Sequence, residues 1–191
     1  RFTINGRPFC SLYYYRCIWI FIMEKAVKHI VITGPESSGK TTLTKALAKA
    51  LNIGYTEEYS REYLNNSTYK QEDLLKIAQG QLQKEKANHN PIAIHDTDLI
   101  TIKIWSEYKY NQCNPWIIEQ IEQQKSKNRL YLLCKPDIPW EADPLRENPS
   151  NRAELFEIYL SEIQNTKHTF FIIEGKKRLE KALSKIQSFI N

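Results

Sequence analysis

The sequence has a single methionine, Met23, and no acidic residue among its first 22 positions. Its four cysteines (Cys10, Cys17, Cys113, Cys134) form no CxxC pair, and its four histidines (His29, His89, His95, His168) show no HxxxH spacing. A zinc site or a disulfide framework is therefore not expected, and a reducing cytoplasm is the default. Long apolar runs are also missing. The stretch CIWIFI before Met23 is too short to span a bilayer, Arg16 interrupts it upstream, and no small-residue cleavage site follows. Most of the net charge of +5 resides in the same segment. Without Arg1, Arg7 and Arg16 the balance is 24 basic against 22 acidic residues, or +2, so composition gives no argument for a nucleic-acid partner. Residues 1–22 are accordingly expected to be a non-native or disordered extension, and residues 23–191 one domain.

After Met23, short β-branched runs alternate with longer amphipathic ones. HIVIT (29–33), PIAIHD (91–96), RLYLLC (129–134) and TFFIIE (169–174) read as strands, with IGYTEE as a short fifth. Helices are predicted at 41–52, from REYL onward, and over 71–88, 99–110, 115–127, 151–164 and 177–190, with Asn151 as an N-cap. Strands separated by helices of this length imply parallel pairing through right-handed crossovers. The expected fold class is α/β, a P-loop NTPase three-layer sandwich with a five-stranded parallel sheet and a lid loop.

GPESSGKT, from Gly34 to Thr41, fits G-x-x-x-x-G-K-[ST] without a mismatch, between a strand and a helix. Glycines let the loop curl until successive N–H groups converge on anionic oxygens, and the following helix adds its positive end. Gly34, Pro35, Glu36, Ser37, Ser38, Gly39, Lys40, Thr41 and Thr42 are thus expected to bind ATP, with Lys40 on the β- and γ-phosphates and Thr41 on Mg²⁺.

Because ligands sit beyond the carboxyl ends of parallel strands, Asp96 should face the phosphates and share the metal with Thr41. Asp98, in front of LITIKIW, reads equally as a helix cap. TEEYSREYL places Glu58 and Arg61 at i, i+3, where an acid and a base could meet a substrate together. DIPWEADPLRENPSNR carries Arg146 and Arg152 among Pro139, Pro144 and Pro149, which suits a lid neutralising charge on a transferring phosphoryl group. No N-K-x-D base-reading stretch of a GTPase is present, and no second arginine-bearing subdomain of a hexameric motor.

TGPESSGKTTL, EYSREYL, YKQEDLLKIAQGQ, DTDLIT and DIPWEADPLR together resemble the kinase domain of NadR-type nicotinamide-riboside kinases, over roughly residues 28–185. The resemblance implies transfer of the ATP γ-phosphate to the 5′-hydroxyl of nicotinamide riboside, with ATP and Mg²⁺ required. It implies Lys40, Asp96, Glu58 and Arg146 as catalytic residues, either Asp96 or Glu58 taking the hydroxyl proton, and Arg152 as a second lid arginine. Glu58, Arg61, Asp96 and Asp143 would lie near the riboside. The chain departs from the family at Glu57, where tryptophan is usual, and at Pro144, where glycine is usual. Tyr55, Tyr59, Tyr69 or Trp140 could supply the missing aromatic face. No helix-turn-helix or second nucleotide motif is visible, so a stand-alone kinase is expected, with no nucleic-acid or membrane partner. Other nucleoside or nucleotide kinases, and a regulatory ATPase, remain as alternatives.

Overall fold

The computed structural model describes residues 27–65, 67–143 and 146–191, together with two-residue strands Thr3–Ile4 and Arg7–Pro8 that pair antiparallel. Apart from that pair, the extension expected over residues 1–22 lies outside the described residues, as does Pro144.

Five strands form one parallel sheet: β1 (Lys28–Thr33), β2 (Tyr55–Thr56), β3 (Ile92–Asp96), β4 (Asn128–Cys134) and β5 (Thr169–Ile173), in the order β2-β3-β1-β4-β5. Helices α1 (Lys40–Leu51) and α2 (Tyr59–Leu64) flank β2 in the chain, followed by α3 (Gln71–Ala87). Then come α4 (Leu99–Tyr110), α5 (Pro115–Gln124), α6 (Arg152–Thr166) and α7 (Arg178–Ile190). The chain leaves β1 towards β2 on one side and later reaches β4 on the other. The crevice at the carboxyl end of β1 is therefore the switch point where ligands of such sheets bind.

Side-chain alternation explains the three layers. Ile30 and Ile32 of β1, with Leu130 and Leu132 of β4, point to one face and pack on Leu43 and Leu47 of α1 and Ala182 and Ile186 of α7. Val31, Tyr131 and Leu133 point to the other, against Ile100 and Ile104 of α4 and Phe156 and Tyr159 of α6. Helices α3 and α5 add a cluster of Leu74, Ile77, Leu82 and Ile117 behind α4. Each fully buried Ile, Leu or Val contributes about 1.5–3 kcal/mol, which makes central β1 the best-anchored strand and a rigid base for the loop after it.

One local expectation is corrected. Asn151 precedes α6, but its side chain makes no cap; the amide donates to the Tyr108 hydroxyl at 2.9 Å. The oxygen that would cap instead accepts from the Ser150 hydroxyl at 3.2 Å. Among the described residues, no helix is long and apolar enough to cross a membrane.

Candidate active site

The loop after β1 is held from outside. Gly34 has φ +136°, and a Cβ there would fall 2.5 Å from the Cys134 carbonyl oxygen of β4, so only glycine lets the loop pass this close. Gly39, the residue before α1, has φ +81° and Ser37 has φ +51°. Two arginines grip the loop's carbonyls. Arg152 donates to Ser37 O (3.2 Å) and Ile138 O (3.0 Å), and Arg178 to Ser38 O (2.6 Å). A trans peptide sets each N–H opposite its carbonyl, so the Ser38 and Gly39 N–H groups point away from these arginines, as an anion nest requires. Lys40 starts α1 and donates to Pro35 O at 2.8 Å.

A cavity of about 130 Å³ opens over this loop. Glu36 to Thr42 floor it, Glu58 and Arg61 wall one side, and Trp105, Ile138, Glu141 and Arg146 complete it. The β2–α2 pair is preassembled: Arg61 Nε lies 3.5 Å from Glu58, and Arg61 Nη1 lies 3.1 Å from Asp143 on the β4–α6 loop. The other Glu58 oxygen accepts from the Ser60 hydroxyl at 2.9 Å.

Asp96, the last residue of β3, is only 2% exposed, and its Oδ1 has no hydrogen-bond partner. Burial first, then the nearby Glu58 charge, pushes its carboxyl up to about 6; Thr41, Lys40 and Arg61 act the other way. A buried carboxylate that keeps an unpartnered oxygen, in a group close to the Thr41 hydroxyl, suits a hard cation. Among the described residues no cluster of three or more His, Cys, Asp or Glu could hold a metal. Thr41 and Asp96 could thus hold Mg²⁺ only with water and phosphate completing its shell, the usual habit of this ion.

The β4–α6 loop lies against the phosphate loop at two points. The Ser37 hydroxyl donates to Pro139 O (3.4 Å) and accepts from Glu141 N–H (2.9 Å). Glu36 accepts from the backbone and side-chain amides of Asn148 at 2.9 and 3.3 Å. Arg146 lines the cavity and donates to the Glu141 carbonyl.

The sequence-predicted residues divide by position. Glu36 to Thr42, Glu58, Arg61 and Arg146 meet around one cavity, with Asp96 buried beside it and Asp143 joined through Arg61. Arg152 instead grips loop carbonyls, with the Trp140 ring 5.7 Å from its guanidinium. Tyr59 packs on α3, so close that a Cβ on Gly80 would fall 2.1 Å from its ring. Tyr55 sits on edge strand β2 and bonds Glu57. Tyr69 lines an adjoining cavity with Pro35 and Glu36, stacked on Trp105 at 5.9 Å. Sequence reasoning missed Trp105, Glu141 and Arg178. Trp105 was findable: it follows Asp98 by seven residues and so shares the helix face that starts beside the phosphate loop. Arg178 follows Gly175 in an ordinary lysine-rich stretch and carries no such signal.

The chain matches the AAA_28 family, an AAA domain, over residues 29–181. It is 30% identical over 129 residues to the trifunctional NAD biosynthesis/regulator protein NadR of Salmonella typhimurium, and equally to that of Escherichia coli. The matched part is 63% of this chain and 31% of theirs, so the chain spans under a third of these relatives. In three dimensions it is similar to a NadR protein in complex with NR, with a TM-score of 0.72 at 19% identity, covering 99% of this chain and 63% of that one. A second NadR structure, with NAD and AMP-PNP, gives 0.71 at 20% identity, covering 99% and 62%. Deoxyadenosine kinase from M. mycoides with bound dCTP gives 0.51 at 16% identity, covering 84% and 99%. With a phosphate loop on the switch point of a β2-β3-β1-β4-β5 sheet, the chain has a P-loop kinase-like fold and belongs to the AAA_28 family.

Proposed function

We propose that the chain transfers the γ-phosphoryl group of ATP to the 5′-hydroxyl of nicotinamide riboside, giving nicotinamide mononucleotide and ADP. The observation that carries this reading is one cavity in which the phosphate loop faces an acid–arginine pair, Glu58 and Arg61, beneath Arg146. A hydrolase needs only a water opposite the phosphates. A preassembled carboxylate and guanidinium on the far wall instead suit an alcohol-bearing acceptor held in line. The resemblance to NadR proteins, among them one in complex with NR, supports this acceptor.

In the reaction the acceptor oxygen bonds to the γ-phosphorus, the bond to the bridging oxygen of ADP breaks, and the hydroxyl proton passes to a carboxylate. Glu58 lines the cavity and takes that role; Asp96, enclosed beside Thr41, takes the metal. Mg²⁺, when bound, neutralises the β,γ-oxygens. Lys40 and the loop amides hold the donor, and Arg146 offsets the charge that grows on the transferring group. Trp105, stacked on Tyr69 at the cavity edge, offers the aromatic face that Glu57 does not, and a cation over such a face gains about 0.5–2 kcal/mol.

The test is ADP release measured with nicotinamide riboside, deoxynucleosides, thymidylate and no acceptor. Nicotinamide riboside should exceed the others by orders of magnitude. Preference for a deoxynucleoside would make the chain a different nucleoside kinase, and a rate indifferent to every acceptor would make it a regulatory ATPase.

A further inference from the structure

Asp96 is the last residue of β3 and Asp98 the cap of α4, so Thr97 alone makes the turn between them. Thr97 has φ +67°. For a β-branched residue this is an outlier, and such conformations persist only where the surroundings impose them. The Thr97 N–H is fixed to Ile32 O at 2.9 Å, which extends the β1–β3 ladder by one bond.

The other constraint lies on Asp98, which is fully buried and has both oxygens engaged. One accepts from the Ile100 N–H at 3.1 Å. The other accepts from the Tyr131 hydroxyl at 2.8 Å and Arg129 Nη1 at 3.4 Å, both from β4. Arg129 is itself aimed by Glu85 of α3, 2.5 Å from its Nη2. Burying this many charges brings little net stability, since desolvation offsets most of the attraction. The cap engages only one oxygen; the second, equally buried, takes both of its donors from β4, which ties the turn to that strand.

We propose that Tyr131 and Arg129 are positioning residues: by pegging Asp98 they hold Thr97 left-handed, and so keep the Asp96 carboxylate beside Thr41 and Lys40. The chain of cause runs through one turn. If the peg loosens, Thr97 relaxes towards negative φ, and the adjoining peptide carries the Asp96 carboxylate away from the phosphate loop. Neither β4 residue touches the cavity, and both act only through Asp98. This inference rests on Asp96 serving phosphoryl transfer, as in the function proposed above.

Tyr131→Phe tests it, because it removes one hydroxyl and keeps the ring in the core. The variant should keep wild-type KM for ATP within about threefold while kcat falls about 10- to 100-fold, the cost of a small misplacement. The sharper measurement adds Thr97→Gly, which adopts the turn without strain. In that background Tyr131→Phe should cost threefold or less, because the peg has less strain to oppose. Equal losses in both backgrounds, or a loss confined to KM, would overturn the proposal and leave Tyr131 a packing residue. If wild-type protein ignores nicotinamide riboside, the proposed acceptor fails separately. The same cycle is then read in the rate of ATP hydrolysis, where equal losses again overturn the peg and a vanishing loss upholds it.

Discussion

The two sides of the β3–α4 turn hold carboxylates only two residues apart, and the structure treats them in opposite ways. Asp96 faces the phosphate loop with Oδ1 unpartnered, whereas Asp98 faces the core with both oxygens occupied. Burial pushes both carboxyls up, so depth alone does not separate them. What separates them is whether the surrounding groups leave a lone pair to act. An oxygen already paired is part of the scaffold, while an enclosed oxygen without a partner is available to a ligand.

This comparison can be broken from either side. The largest effect is expected at the ligand side: Lys40→Ala should abolish transfer, at least about a thousandfold in kcat, with an unchanged circular-dichroism spectrum. Arg146→Ala should lower kcat about a hundredfold with little change in ATP affinity by calorimetry; unaltered turnover would remove the lid arginine from the mechanism. On the core side, Asp98→Ala should cost about 3 kcal/mol in urea unfolding, since it strands the Arg129 guanidinium with Glu85 alone.

Asp96→Asn should do the reverse, losing transfer while gaining stability. The folded state raises the Asp96 pKa from 3.8 to about 6, so it binds the proton more tightly than the unfolded chain. The stability this group contributes is present below about pH 4 and is lost as pH rises through 6. In magnesium-free buffer the variant should therefore exceed wild type above pH 6, by up to about 3 kcal/mol. The advantage should vanish near pH 4; a constant difference across that range would refute the assignment.

A further effect belongs to the histidine pair shared by β1 and β3. His29 Nδ1 lies 3.0 Å from His95 Nε2, and burial, with Arg129 nearby, lowers both to about 3. Their stabilisation is present above the unfolded value of 6.5 and is lost as pH falls towards 3. Relative to its own stability at pH 8, His29→Gln should lose less than wild type between pH 6.5 and 4 in thermal unfolding scans.

The phosphate loop, the five strands and the β2–α2 acid–arginine pair were legible because their signals are local. Glycine spacing, two-residue alternation and i, i+3 spacing each report on a few neighbouring residues. Asp98 was readable only halfway, as a cap, because its β4 partners lie more than 30 positions away. Arg152 likewise read as a lid arginine and is placed instead on the carbonyls of Ser37 and Ile138, a role that depends on which face of the loop α6 approaches.

The sequence by itself determined the donor side of this protein: a strand, a glycine-bearing turn and a helix suffice to make an anion nest, and all three are contiguous. The tertiary structure alone decided which carboxylate is free, which arginines grip the loop and which aromatic ring reaches the cavity. Those outcomes depend on desolvation and on partners brought in from other strands and helices, and neither quantity exists until the sheet has assembled.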